Sequence, residues 1–209
     1  MTEVRTRRGP YRSGIARRRQ IITTAAEVFA TYGYRSGSLR QIATAVGVTP
    51  AALTRHFDSK EDLLTDVLEY WREQTDKLAD PHAAGVDFFN GLRRLVNYHV
   101  DHPGYLELFL TLSTEATDPN HPAAAFIRNR YDRTVSDFSA QLTLAVNAGD
   151  IRPMSATEID QQCRALIAYM DGIELQWLLN PAIDLPAQFG QHLDRVLASW
   201  RSTRTAQPT

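Results

Sequence analysis

The segment of residues 38–60 constrains the fold of this chain more than any other, because it carries start and stop signals for short helices in close succession. Ser38 and Gln41 form a capping box, which satisfies free backbone N–H groups at a helix start. Gly47 permits the left-handed backbone that ends this helix, and Thr49 is a suitable cap for the next one. The segment therefore predicts two short helices joined by a tight turn.

A third helix is predicted immediately after this pair. Ser59 and Asp62 form a second capping box, and apolar residues then recur at helical spacing to about Leu78. Leu53 and Phe57, four residues apart, direct one face of the preceding helix inward. Three helices in this order, with a tight turn between the first two, are the layout of a helix-turn-helix domain that reads DNA.

The distribution of charge agrees with a nucleic-acid partner. Residues 1–60 hold 11 Lys and Arg against 3 Asp and Glu, a formal charge of +8, although the whole chain has a net charge of −1. The remaining 149 residues therefore carry a charge of −9. Because neutralised phosphates supply most sequence-independent affinity for DNA, the basic part is the predicted DNA-binding part.

Residues 1–13 are predicted to form a flexible basic arm, since their arginines are mixed with Gly9 and Pro10. Such an arm can follow phosphates or enter a minor groove, but basic tails also occur on proteins that bind nothing specific. It is not expected to be a secretory signal, because no apolar segment follows the arginines.

Three sequence pieces carry a resemblance to a known family: AAEVFATYGY at 25–34, the pattern S-x-x-x-I-A-x-x-x-G-V-T at 38–49, and H-F-x-S-K-E-x-L-L at 56–64. Through them, the stretch from about Arg17 to Trp71 resembles the DNA-binding domain of the TetR family of transcriptional repressors. The resemblance implies a sequence-specific regulator of transcription, expected to be a repressor that a small-molecule effector releases from a palindromic operator.

The resemblance also implies which residues contact DNA. It places the recognition helix at Thr49–His56 and further backbone contacts on the neighbouring helices. The expected DNA-binding residues are Arg17, Ser38, Arg40, Thr49, Pro50, Ala52, Thr54, Arg55, His56 and Lys60. Thr54 stands where the family commonly has Tyr or Trp, and Ala52 stands where it has a hydroxylated residue. The bases that are read therefore do not follow from the resemblance.

Arg55 is the strongest candidate for reading a base within the predicted recognition helix. A guanidinium can donate two hydrogen bonds to O6 and N7 of guanine in the major groove. It can equally bind a phosphate, and the sequence leaves both interpretations open. For Ala51, simple helix filling is the preferred interpretation.

The rest of the chain is predicted to be helical, with Pro and Gly residues separating the helices. The expected fold is all-α, with about nine helices: a small three-helix head followed by a larger ligand-binding and dimerisation domain. The predicted boundaries are 14–60 for the helix-turn-helix domain, 61–80 for a connecting helix and 81–209 for the effector-binding and dimerisation domain. The helices beyond the connecting helix are expected at 84–100, 104–116, 122–148, 156–179 and 186–201.

The last two helices resemble the dimerisation module of the family, which implies a homodimer whose two-fold symmetry matches two DNA half-sites. Each has a broad apolar face, and two such faces exceed what one core needs. The alternative is that both faces are buried within the monomer. The expected interface residues are Met170, Ile173, Leu193, Val196, Leu197 and Trp200.

The resemblance further implies a pocket for a small molecule, whose identity the sequence does not give. Large aromatic residues, some of them with polar tips, are the preferred lining, although each is more often ordinary core. The preferred candidates are Tyr105, Phe109, Tyr169 and Trp177, and Arg130 or Glu174 could oppose a charge on the ligand or lie on a solvated face.

Other classes of function find less support in the sequence. An enzyme is not expected, because no nucleophile with a base, paired carboxylates, phosphate loop or cofactor lysine is recognisable. No cofactor and no metal site are predicted. Cys163 could be a thiol sensor, but a lone cysteine on an apolar helix is more often a core residue. No membrane partner is expected, since no apolar run is long enough to span a bilayer. The resemblance implies a cytoplasmic protein, and the single Cys163, which allows no intrachain disulfide, fits a reducing compartment. The alternative function is a helical adaptor whose basic head binds acidic protein or membrane surfaces.

Overall fold

Helices form almost all the regular structure in residues 10–78, 80 and 82–201, the part of the chain that the computed structural model describes. This confirms the expected all-α fold. Ten helical segments lie in this part, two of them with only four residues each. In chain order they are α1 Pro10–Ser36, α2 Leu39–Val46, α3 Pro50–Leu53, α4 Lys60–Asp76, α5 Val86–Phe89, α6 Gly91–Asp101, α7 Pro103–Glu115, α8 Ala124–Ala148, α9 Ala156–Leu179 and α10 Leu185–Trp200.

The chain divides into two units between Arg72 and Glu73. The boundary lies inside α4, whereas the sequence predicted a separate connecting helix at 61–80. Helix α4 carries its apolar pattern without interruption from Leu63 to Trp71, so this stretch of the helix is part of the core of the first unit. The first unit thus ends at Arg72 and the second begins at Glu73.

Helix α1 begins at Pro10, so residues 10–13 are helical and not part of a flexible arm. Proline is tolerated in the first turn of a helix, where its missing N–H has no partner in any case. The predicted arm otherwise lies in residues 1–9, outside the described residues. Near its other end, α1 is interrupted at Gly33, whose φ of 74° lies in the left-handed region that glycine adopts without strain.

The core of the first unit is built from the apolar stripes of α1, α2 and α4, with one residue from α3. Phe29 from α1, Ile42 from α2, Leu53 from α3 and Leu63 from α4 are all completely buried. The three longer helices are amphipathic, and their apolar residues recur at the spacing of one helical face. Their packing fixes the position of the short α3.

In the second unit, the predicted helix at 84–100 is two helices, α5 and α6, separated at Asn90. A helix cannot begin at 84 because Gly85 has a φ of 59°, and its N–H donates to the side chain of Gln141 at 2.8 Å. The other predicted helices in this unit agree with the structure to within two residues.

Helices α5, α6, α8, α9 and α10 enclose the core of the second unit, and α7 packs against α6, α8 and α9. Aromatic rings meet at its centre, where the ring centroid of Phe89 lies 5.3 Å from Phe138 and 5.0 Å from Trp200. The Trp200 indole N–H donates to Gln162 at 2.9 Å, and the Trp200 carbonyl accepts from the Arg152 N–H at 2.8 Å. Both the side chain and the backbone of Trp200 therefore hold the end of the last helix in place.

Candidate functional site

The segment that joins α2 to α3 has the predicted helix-turn-helix geometry. The Gln41 N–H donates to the Ser38 hydroxyl at 3.2 Å, and the Ser38 N–H donates to the Gln41 side chain at 2.8 Å, so the capping box is complete. Gly47 ends α2 with a φ of 75°. The Thr49 hydroxyl then accepts from the Ala52 N–H at 3.1 Å, and Pro50 occupies the first turn of α3.

Helix α3 ends at Leu53, three residues before the predicted end of the recognition helix at His56. Thr54, Arg55 and His56 continue as a turn, in which the His56 N–H donates to the Leu53 carbonyl at 2.9 Å. The physical reason is that Phe57, only 1% exposed, must turn into the core directly after this point. We call residues 49–56, comprising the cap, α3 and this turn, the reading segment.

Most of the residues expected to contact DNA lie on the surface of the first unit. Thr49, Pro50, Thr54 and Arg55 are exposed on the reading segment, where Ala52 and His56 are half-buried. Of the remaining expected contacts, Arg17 and Arg40 are exposed, and Ser38 and Lys60 are half-buried. The structure therefore exposes six of these ten residues to solvent.

A groove of about 460 Å³ between α1 and α2 includes a residue that the sequence did not single out. Tyr32 is 55% exposed and lies in this groove beside Ser38 and Arg40. The aromatic ring of Tyr32 on the predicted polar face of α1 could have indicated this residue, but the resemblance implied DNA contacts mainly on α2 and α3. The groove is completed by Val28, Gln41, Thr44 and Ala45.

Several basic side chains of the first unit contact protein groups, among them Lys60 and Arg18. The Lys60 ammonium donates to the Arg35 carbonyl at 3.1 Å and lies 4.4 Å from the centroid of the Tyr34 ring. The Arg18 guanidinium forms an ion pair with Asp66 at 2.6 Å. A count of basic residues therefore overstates the charge that the first unit can offer to phosphates.

The second unit contains a cluster of ionisable side chains in its interior, which the sequence did not predict as a group. His99 and Glu174, 2% and 1% exposed, are joined by a contact of 2.7 Å between Nδ1 and Oε1. The Tyr131 hydroxyl donates to Asp171 at 2.7 Å. Arg130 lies over the ring of Phe109 at 4.7 Å. These side chains come from α6, α7, α8 and α9.

Burial changes the acidity of this cluster. It lowers the pKa of Arg130 to about 10, against the opposing effect of the nearby Asp171 carboxylate. It raises the pKa of Asp171 and also that of Tyr131, whose hydroxyl bonds to Asp171. Of the two alternatives that the sequence left open for Arg130 and Glu174, a solvated face is wrong for both, because neither residue is exposed.

The four side chains expected to line an effector pocket differ in their surroundings. Phe109 is buried beside Arg130 and lies 6.1 Å from the Tyr131 ring. Tyr169 stacks on His192 of α10, with ring centroids 3.4 Å apart. Tyr105 on α7 and Trp177 on α9 are half-buried. Phe109 therefore adjoins the interior polar cluster.

The residues expected at a dimer interface are largely used within the monomer. Leu193 and Trp200 are completely buried, and Met170 and Leu197 are each 6% exposed, so all four belong to the core of the second unit. Their side chains have almost no surface left for a partner, which is the alternative that the sequence had left open. Ile173 and Val196 are half-buried at the edge of the same core.

Several other features bear on the function. Cys163 is buried, its pKa is raised by burial, and Ser139 lies 3.6 Å from its sulfur. In the described part of the chain, no group of three or more His, Cys, Asp or Glu is arranged to hold a metal ion. Among the same residues, no helix has the length and apolar character needed to cross a membrane.

Comparison with known proteins agrees with this geometry. A family model described as bacterial regulatory proteins, tetR family, matches residues 21–67, which include α2, α3 and the start of α4. The chain is 31% identical over 121 residues to the HTH-type transcriptional repressor KstR2 of Rhodococcus jostii, covering 58% of this chain and 53% of that protein. The chain therefore spans about half the length of this relative.

A second relative is matched over most of its length. The chain is 29% identical over 184 residues to the HTH-type transcriptional regulator TtgR of Pseudomonas putida, covering 80% of this chain and 83% of that protein. The solved structure of the TetR family protein CprB from S. coelicolor A3(2) has the same fold, with a TM-score of 0.73 and 24% identity, covering 92% of this chain and 93% of that one. Residues 21–67 thus match the tetR family of bacterial regulatory proteins, and the chain as a whole is similar to HTH-type transcriptional regulators and has the fold of a TetR family protein of known structure.

Proposed function

We propose that this protein regulates transcription by binding a palindromic DNA operator as a homodimer, and that a small-molecule effector releases it. In this function the reading segment enters the major groove, and the residues around it bind phosphates. The regulator acts as a repressor, as the name of the KstR2 relative states for that protein. Its action on DNA implies that it works in the cytoplasm.

The observation that carries the proposal is the exposed reading segment on a basic unit, with the starts of both α2 and α3 capped. Thr49 and Ser38 fix the starts of α3 and α2 through side-chain hydrogen bonds, while Arg55 and Thr54 remain exposed. An unspecific electrostatic patch needs no such arrangement, because phosphate attraction depends on charge and not on the orientation of a helix. The geometry therefore supports reading of base edges better than it supports the adaptor function.

The decisive experiment is selection of duplexes from a random DNA library by the purified full-length protein at near-physiological salt, followed by sequencing. Enrichment of an inverted repeat with half-sites about one helical turn apart is expected. Retention of DNA without any enriched sequence would refute specific recognition and leave the basic surface as the sole basis of binding.

Arg55 gives a sharper test at the level of one residue. If its guanidinium reads a guanine, Arg55→Ala weakens operator binding by about 1–3 kcal/mol and relaxes the preference at one base position. Arg128→Ala, which removes an exposed arginine from α8 in the second unit, is the matched control and should leave both properties unchanged. An equal loss on operator and unrelated DNA would assign Arg55 to a phosphate instead.

The proposed homodimer uses the exposed side of α9 and not the residues buried in the core. Leu175 and Leu179, 49% and 78% exposed, lie on this helix near its C-terminal end. Apolar residues of this size are seldom so exposed together without a partner. A two-fold pair of such faces would also match the symmetry of a palindromic operator.

The effector is proposed to bind in the second unit, near the contact of Phe109 with Arg130. Supporting this place, an aromatic face lies next to charged and hydroxyl groups, which suits an amphipathic compound. Binding there can release DNA only if the compound prefers the protein conformation that does not bind the operator. Screening amphipathic compounds for release of the selected operator tests this part of the proposal.

A further inference from the structure

Arg18 contacts three groups of the first unit that belong to different parts of the fold. From α1, its Nη2 atom pairs with the Asp66 carboxylate of α4 at 2.6 Å. Its Nη1 atom donates to the backbone carbonyl of His56, the last residue of the reading segment. Its guanidinium carbon also lies 4.3 Å from the centroid of the Phe57 ring. One side chain therefore links α1, α4 and the end of the reading segment.

These contacts differ from those of the neighbouring arginine. The Arg17 guanidinium donates to Gln20 at 3.0 Å, a contact within a single exposed helical turn. Such a bond is easily exchanged for a phosphate. The terminal nitrogens of Arg18, in contrast, are directed at Asp66 and at the His56 carbonyl. A carboxylate at 2.6 Å also cancels much of the attraction that the guanidinium would have for DNA.

The reading segment needs such support from outside, because α3 has only four residues. A helix of this length closes very few internal hydrogen bonds and is not stable by itself. Its start is fixed by the Thr49 cap and its middle by the buried Leu53. Its end, at His56, is fixed by Arg18 and by the burial of Phe57. The orientation of Arg55, one residue before His56, depends on that end.

We propose that Arg18 is a positioning residue for DNA recognition: together with Asp66 it fixes the end of the reading segment and raises discrimination between operator and other DNA, without contacting DNA itself. The inference rests on the proposed function and deepens it. It assigns to Asp66, an acidic residue, a favourable contribution to the recognition of a polyanion.

The test compares the binding of the selected operator and of a scrambled duplex over a series of salt concentrations. The variants are Arg18→Gln, Arg18→Lys and Asp66→Asn, with Arg17→Gln as the matched control. Arg18→Gln should reduce the ratio of operator to scrambled affinity by about tenfold, with the salt dependence unchanged. Arg18→Lys, which keeps the charge but loses the forked geometry, should retain part of the ratio. Arg17→Gln, at an expected phosphate contact, should weaken both duplexes alike and reduce the salt slope by about one.

The Asp66→Asn variant distinguishes electrostatic attraction alone from positioning of Arg18 by Asp66, because the two explanations predict different changes in DNA binding. Removing a negative charge strengthens binding to both duplexes if electrostatic attraction alone matters, and that result would overturn the inference. If Asp66 holds Arg18 in place, the same change lowers the operator-to-scrambled ratio. Amide hydrogen exchange of the DNA-free protein gives an independent readout, since Arg18→Gln should accelerate exchange at residues 54–57 while α2 stays protected.

The outcomes also separate this inference from the proposed function. A wild-type protein that does not distinguish the operator from the scrambled duplex refutes the function, and the inference with it. A wild-type protein that discriminates, with Arg18→Gln weakening both duplexes equally and reducing the salt slope, refutes the inference alone.

Discussion

Replacing His99 with leucine should destabilise the second unit far more than the loss of one hydrogen bond. His99 and Glu174 are 2% and 1% exposed and lie 2.7 Å apart, so each is a partner of the other in an interior that solvent hardly reaches. His99→Leu keeps a similar apolar volume but leaves the Glu174 carboxylate buried without this contact. The perturbation therefore measures the cost of an uncompensated buried acid.

The expected magnitude follows from the surroundings of the pair. Removing one partner of a buried pair of ionisable, hydrogen-bonded side chains costs about 3–5 kcal/mol. Arg130 interacts electrostatically with Glu174, so some compensation remains and the lower limit, about 3 kcal/mol, applies. Glu174→Leu leaves a buried imidazole and should cost about 2 kcal/mol. The double variant replaces the pair with two apolar side chains and should be within about 1 kcal/mol of the wild type.

The assay is urea unfolding at neutral pH and fixed protein concentration, because association changes the apparent stability. Tryptophan fluorescence reports mainly on the second unit, where Trp177 and Trp200 lie, and Trp71 reports on the first. Replacing Trp71 with phenylalanine in every variant would isolate the second-unit signal. A double variant less stable than both single variants would refute the reasoning, since the two costs would then add instead of cancelling.

Three further predictions concern a helix cap, a titrating histidine and the exposed face of α9. Ser38→Ala should lower the free energy of unfolding of the first unit by about 1 kcal/mol in urea titration, because it removes the hydroxyl that accepts from the Gln41 N–H. The pKa of His192 is lowered from 6.5 by burial and by Arg195, so stability should decline as pH falls below about 6.5 towards the folded-state pKa; His192→Gln should flatten this dependence in chemical unfolding at several pH values. Leu179→Glu should shift the protein towards monomers in sedimentation at micromolar concentration, whereas the same change at Leu144, exposed on α8, should not.

The helix starts around the reading segment could be predicted because their determinants are local. The Ser38 and Gln41 box, the left-handed Gly47 and the Thr49 cap each depend on residues within four positions of one another. The second box departs in one detail. Ser59 accepts from the Asp62 N–H at 3.0 Å as predicted, but the Asp62 carboxylate accepts from the Asp58 N–H instead of the Ser59 N–H.

The function of an apolar helix face could not be predicted in the same way. Leu193 and Leu175 are both leucines at helical spacing, yet the first is completely buried in the monomer and the second is 49% exposed. Periodicity shows that a face is apolar, but not which neighbouring element covers it. That choice depends on how α9 and α10 pack against α6 and α8, which is decided by contacts between residues far apart in the sequence.

The interior polar cluster and the contacts of Arg18 could not be predicted for the same reason. His99 and Glu174 are 75 residues apart, and Arg18 and His56 are 38 residues apart. In the sequence alone, Arg18 is one of several N-terminal arginines, and each of them contributes the same charge to the total. Only the folded arrangement separates an arginine that faces solvent from one that holds the backbone of the reading segment.

The aromatic contact between Phe89 and Trp200 has a consequence for synthesis of the chain. The two rings are 5.0 Å apart, but 111 positions separate them in the sequence. The core of the second unit therefore remains incomplete until α10 has been made, whereas every helix that forms the core of the first unit begins before Glu73. Because units fold as they emerge from the ribosome, the reading segment should be assembled while most of the second unit is still untranslated. A nascent chain can thus expose a finished DNA-reading surface before the unit proposed to control it exists.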